Sequence, residues 1–159
     1  MLAWFAPAIA PTHAADSKAV SGSGLPVPRF ISISNKNANL RVGPGKRYPV
    51  DWIYRRRRVP VLVTAEFEHW RKILDADGAE GWLHKTLLSG RRTAVVTDEI
   101  VNFHLAGNTK APIVFRAEAG VIGALETCVG NWCKMNIRDR AGWIERHRIY
   151  GVLPGEEFD

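Results

Sequence analysis

An all-β chain, built as two small barrels in tandem, is the architecture that three features of the sequence predict. The first is a repeat: "AEFEHWRKILDADGAEGWLHKTLLSG" reads again as "TCVGNWCKMNIRDRAGWIERHRIYG". Aligning Trp70 with Trp132 also aligns Gly81-Trp82-Leu83 with Gly142-Trp143-Ile144, once one residue is dropped from the turn between them. Leu88 then meets Ile149, and Gly90 meets Gly151. Upstream, "NLRVGPGKRYPV" from Asn39 matches "NFHLAGNTKAPI" from Asn102. The period of about 62 residues is long for a solenoid unit and right for a small domain. The second feature is strand-like alternation broken by turn residues, and the third is the lack of any sustained helical period.

Taken in chain order, the opening "MLAWFAPAIAPTHAADS" has the apolar run and small-residue punctuation of a secretory signal over residues 1–15, cut near Ala14 or Ala15. No Lys or Arg precedes Lys18, so a basic start would lie upstream of Met1; the other reading is an apolar frayed terminus. "SKAVSGSGLPVP" completes a flexible linker over residues 16–28. The first copy, 29–92, reads as strands through "RFISIS", "VPVLVTAE", "WRKIL" and "EGWLH", the last two flanking a "DADG" turn. The second, 93–159, does so through "IVNFHL", "AGVIGALET", "CKMNI" and "GWIE". "HKTLL" and "RHRIY" are long enough for one helical turn of the 3₁₀ kind. About five short strands in ~60 residues predict a closed barrel, because a flat sheet of that size leaves its edges exposed.

Within this frame Asn39 and Asn102 are expected to brace turns through side-chain hydrogen bonds, and Gly43 and Gly45 to supply unusual backbone angles around Pro44. Trp82 and Trp143, each following a glycine on a strand, are expected to bury their large apolar area, with a partly exposed platform as the alternative.

The formal charge is +6, and it is uneven. Residues 29–92 hold 14 Lys and Arg against 6 Asp and Glu, whereas residues 93–159 hold 7 against 9. A basic first copy points to an anionic surface or polymer as partner. Arg55, Arg56, Arg57 and Arg58 form a run between two strands; four guanidiniums on one loop repel one another and are relieved by carboxylates or phosphates. Trp52 and Tyr54, just before the run, can add stacking, although alternation turns only one face of that segment outward. No apolar run approaches the ~20 residues that span a bilayer. Cys128 and Cys133 lie five apart around a turn, and the histidines show no metal-binding spacing, so neither a catalytic constellation nor a metal or cofactor site is expected.

The cysteines occur only in the second copy. Under the alignment Cys128 falls on Glu66 and Cys133 on Arg71, each pair bracketing the same short connection between consecutive strands. An opposite-charge pair in copy one and a disulfide in copy two can hold the same hairpin neck, with two small buried thiols as the alternative. The disulfide requires both Cβ atoms on one face, which a bulge can arrange.

"NLRVGPG", a Val-rich strand, "W-x-K-[IM]", "GW[LI]" and a short turn, in that order, resemble the bacterial SH3-like (SH3b) domain, over about residues 29–153 in two copies. The resemblance implies small exported proteins with two tandem SH3 domains and no catalytic partner. Copy two departs from it, since "NFHLAGN" lacks the Arg and the Gly-Pro-Gly. In eukaryotic SH3 domains, which these copies resemble in motif order, the Trp opening the pattern lines the peptide groove; this nominates Trp70 and Trp132. The Pro and Tyr that complete that groove fall at His84 and Leu87 in copy one, and at Glu145 and Arg148 in copy two.

The resulting expectation is a non-catalytic, periplasmic or secreted binding module. It contacts peptidoglycan or another anionic envelope component, lipid head groups included, through its basic first copy. The alternative is a periplasmic protein–protein adaptor in which both barrels engage one partner. Nucleic-acid binding is the weakest reading, because it requires the leader not to function.

Overall fold

A computed structural model describes residues 22–159. The leader expected over residues 1–15, and the start of the linker, lie outside the described residues; residues 22–28 are exposed, irregular chain.

The first copy contains β1 (Arg29–Ile33), β2 (Ala38–Arg41), β3 (Val50–Tyr54), β4 (Pro60–Phe67), β5 (Trp70–Leu74), β6 (Glu80–His84) and β7 (Leu88–Ser89). The second contains β8 (Thr93–Val96), β9 (Ile100–His104), β10 (Ile113–Glu118), β11 (Ile122–Val129), β12 (Trp132–Ile137), β13 (Arg140–Glu145) and β14 (Ile149–Tyr150). A single 3₁₀ turn, Lys85–Leu87 or Arg146–Arg148, precedes the last strand of each copy, as expected. Each copy is one antiparallel sheet, in the order β3-β2-β6-β5-β4-β1-β7 and β10-β9-β13-β12-β11-β8-β14. Adding seven to every label of the first order produces the second, so the repeat in sequence is a repeat in topology.

Each sheet curls around its own apolar core. Ile33, Leu40, Tyr54, Val61, Ile73 and Leu83 come from six different strands of copy one yet meet in one buried cluster, which a flat sheet does not allow. Val96, Val101, Ala117, Leu125, Met135 and Ile144 do the same in copy two. The glycine of each "GW" motif marks where two strands cross closely. A Cβ at Gly81 would lie 2.7 Å from Leu40, and one at Gly142 would lie 2.9 Å from Phe103. The sheets have more strands than alternation indicates because edge strand β3 is exposed at four of its five positions and shows no period of two.

The hairpin necks match the alignment. Glu66 pairs across the strands with Arg71, and Cys128 with Cys133. A register shift after Val63 in β4, and after Leu125 in β11, resets the alternation so that the neck residues face inward. Cys128 and Cys133 form a disulfide and both are fully buried. Glu66 accepts from Arg71 Nε at 2.9 Å, Arg29 Nη2 at 2.5 Å and Ser23 Oγ at 2.8 Å. Burial by itself would raise the Glu66 pKa; the hydrogen bonds from Arg29 and Ser23 and the Arg71 charge outweigh it and hold the carboxyl down at about 2. A terminal segment covers each neck: Ser23 sits on Glu66, and the Phe158 backbone exchanges hydrogen bonds with that of Cys128 at 2.8 and 3.2 Å.

The turns explain the dropped residue. In "DADG", Asp75 Oδ1 accepts from the amides of Asp77 at 3.0 Å and Ala79 at 2.8 Å, and Gly78 takes φ 87°. Copy two closes the same hairpin with Arg138 and Asp139, both at positive φ (49° and 65°), the pattern of a two-residue turn.

Three local expectations are corrected. Asn39 and Asn102 lie within strands β2 and β9, and Asn102 Oδ1 accepts from Arg116 Nε at 3.0 Å on the neighbouring strand rather than bracing a turn. Gly43 and Gly45 are not among the residues with positive φ; Gly43 is required by close approach, since a Cβ there would lie 2.5 Å from the Tyr48 ring. Trp82 and Trp143 are half-buried, because their strand positions point away from the cluster that Leu83 and Ile144 enter.

Candidate functional site

In copy one the groove position is occupied by the protein's own side chains. Trp70 opens β5 and is only 9% exposed, with the His84 ring edge-on at 5.3 Å and His69 a further 6.0 Å beyond His84. His84 also caps the 3₁₀ turn, its Nδ1 lying 2.8 Å from Thr86 Oγ1. Burial, followed by the nearby His69, Lys46, Lys85 and Arg71, lowers the His84 pKa, which keeps the ring neutral near pH 7. Leu87 packs against the barrel core.

Copy two leaves the same place open. Trp132 is half-buried, and Asn108, Asn131, Trp132, Glu145, Arg146 and Pro154 help line a cleft of about 730 Å³ around it. His104 meets the Trp132 ring edge-on at 5.5 Å, and its Nδ1 lies 2.8 Å from the Ala111 carbonyl. Arg41, the counterpart of His104 in copy one, donates instead to the Tyr48 carbonyl at 2.7 Å. The motif arginine thus serves to close the loop, and histidine replaces it in that task. Arg148 turns away from the cleft, pairing with Glu145 at 2.5 Å and Asp98 at 2.9 Å.

The arginine run is the second candidate. Its backbone is pinned at Arg58, which has φ 65°, donates its amide to the Ile33 carbonyl at 2.7 Å and accepts at its carbonyl from Thr93 Oγ1 at 2.8 Å. All four side chains are exposed. Arg55 donates to Asn37 Oδ1 at 3.0 Å and Arg56 to the Gly120 carbonyl at 3.3 Å, but among the described residues none of the four pairs with a carboxylate. Beside them Trp52 is 58% exposed, whereas Tyr54 is buried and donates its hydroxyl to Asp75 at 2.7 Å. Burial, then the hydrogen bond and charge of Asp75, raise the Tyr54 pKa far above the tyrosine range, so it remains a donor. Tyr54 is therefore mainly a core residue, and it also helps line the cleft beside Trp52 and Arg55.

The structure brings Trp52, Arg55 and Arg56 together and holds them apart from Trp70 and Trp132, which belong to other lining or core positions. Sequence reasoning missed what lies opposite the arginines: the second barrel. Tyr150 of β14 donates to the Leu74 carbonyl at 2.7 Å and meets the Phe30 ring edge-on at 4.9 Å, fastening the barrels side by side. The available signal was Tyr150 itself, an aromatic where the aligned residue of copy one is Ser89.

A family model described as bacterial SH3 domain matches the chain twice, at residues 34–90 and 97–151. No curated protein sequence matches it. Among solved structures, "Structure of NlpC1 from Trichomonas vaginalis" is similar over 82% of this chain and 48% of that one, with 10% identity and a TM-score of 0.35. The chain thus spans about half the length of that structure. Among the described residues no helix is long and apolar enough to cross a membrane.

Proposed function

Since the chain belongs to the bacterial SH3 domain family, with two tandem copies, we propose that it is a non-catalytic, exported binding module for peptidoglycan or another anionic component of the cell envelope. The observation that carries this reading is the loop Arg55–Arg58: four exposed guanidiniums on a pinned backbone, with no carboxylate partner among the described residues. Such an array attracts a polymer bearing carboxylates or phosphates, and arginine can contact either with two parallel hydrogen bonds. The buried disulfide supports an oxidising compartment.

The test compares wild type with the triple variant Arg55→Ser/Arg56→Ser/Arg57→Ser on purified sacculi over a range of salt. Arg58 is kept because its positive φ and backbone bonds shape the loop. Attraction between exposed charges is screened over about 8 Å at physiological ionic strength. The variant should therefore bind more weakly at low salt and with a flatter salt dependence; an unchanged salt profile refutes the loop's role. A second reading, a periplasmic adaptor for proteins, is favoured by the open cleft at Trp132 in copy two.

A further inference from the structure

Between the barrels lies a cleft of about 660 Å³ that neither copy possesses alone. Trp52, Arg55, Arg56 and Asp77 line it from the first barrel, Ala119 and Ile122 from the second. Its volume falls within the ~300–1,000 Å³ range of sites that take small ligands. The walls are held in place by the Tyr150 bond to Leu74, the Thr93 bond to Arg58 and the Arg56 bond to Gly120. A site fastened at both ends is preformed, and binding there costs little ordering.

The polar groups of the cleft are of both signs. Arg55 and Arg56 keep most of their N–H donors free of carboxylates, and the Asp77 carboxylate makes no ion pair among the described residues. The exposed indole of Trp52 and the aliphatic side chains of Ala119 and Ile122 line the same cleft. Cations, an anion and an apolar surface in one cleft complement a zwitterionic ligand with an apolar body.

Resting on the reading of the protein as an envelope-binding module, we infer that this composite cleft binds a short peptide carrying a free carboxylate and a free ammonium, the kind of peptide borne by the cell-wall polymer. Arg55 and Arg56 take the carboxylate, Asp77 takes the ammonium, and the body of the peptide lies over Trp52. The tandem arrangement is then required for binding, because one wall comes from each copy.

The experiment is calorimetric titration of the full chain with soluble disaccharide-peptide fragments released from peptidoglycan by a muramidase. Parallel titrations use the same fragments with the peptide removed, or with the ammonium acetylated. Peptide-bearing fragments should bind and bare sugars should not. Trp52→Ala should raise Kd about tenfold, equivalent to loss of one aromatic contact. Ala119→Trp, which plugs the cleft from the second barrel without changing charge, should abolish binding, whereas Ala119→Ser should keep it. Asp77→Asn should weaken the free-amine fragment and leave the acetylated one unchanged. Ala119 and Trp52 are exposed, so these variants should fold, and their circular dichroism should match wild type. Equal binding by Ala119→Trp, equal binding of bare sugars, or no binding of fragments overturns the composite site. If sacculi still bind with the salt dependence set by the arginine loop, the envelope reading survives that result. If sacculi do not bind either, both fall.

Discussion

Replacing Glu66 by Gln keeps the shape of the first hairpin neck and removes its charge. Glu66 is 8% exposed at its side chain and accepts from two guanidiniums, one of which, Arg71, is itself 6% exposed. In the unfolded chain its carboxyl titrates near the ordinary value of 4.5; in the native protein it titrates at about 2. Between those values the unfolded chain binds the proton and the native one does not, so stability rises with pH across that window. The contribution is complete above about pH 5 and disappears as pH falls through 4.5 toward 2. At 1.36 kcal/mol per pKa unit, it is on the order of 3 kcal/mol. Breaking a buried pair by removing one partner costs about 3–5 kcal/mol, which agrees. Glu66→Gln should therefore lose about 3 kcal/mol relative to wild type in urea denaturation at pH 7, and ~1 kcal/mol or less near pH 2. Near-ultraviolet circular dichroism follows the transition, and taking the difference between the two proteins cancels the titration of Glu126 and Glu156, which both contain. An equal loss at pH 7 and pH 2 would show that the neck is held by shape and neutral hydrogen bonding, and would refute the argument from charge.

The neck of the second copy should answer to reductant instead of acid. Closing so short a loop with a disulfide is worth about 2 kcal/mol, so Cys128→Ala/Cys133→Ala should destabilise the second barrel by about that amount, and thiol alkylation of the oxidised wild type should label neither cysteine. The aligned tryptophans should diverge. Trp70→Ala empties a nearly closed site and should cost about 3–5 kcal/mol, whereas Trp132→Ala, on an open cleft, should cost under about 2 kcal/mol, as read from paired thermal melts.

Two barrels, their strands and the exchange of an ion pair for a disulfide follow from local pattern. Side chains on a strand alternate with a period of two, and a turn residue declares where a strand ends; both survive alignment of one copy with the other. The pairing of Cys128 with Cys133 is local in the same sense, because only four residues separate them and one bulge decides their face. Exposure of a particular indole is not local. Trp70 and Trp132 occupy the same position in the repeat, yet His84 covers the first, while the second keeps an open cleft beside it. Trp52 and Tyr54 stand two apart on one edge strand, and only Tyr54 finds a buried acceptor, Asp75, contributed by a distant turn. The arginine run was visible as charge, but what it faces depends on Tyr150, Thr93 and Gly120 of the other barrel. Contacts between domains are made by residues far apart in sequence whose types carry no period, so only the folded chain decides that a basic loop and an aromatic become one wall of a cleft.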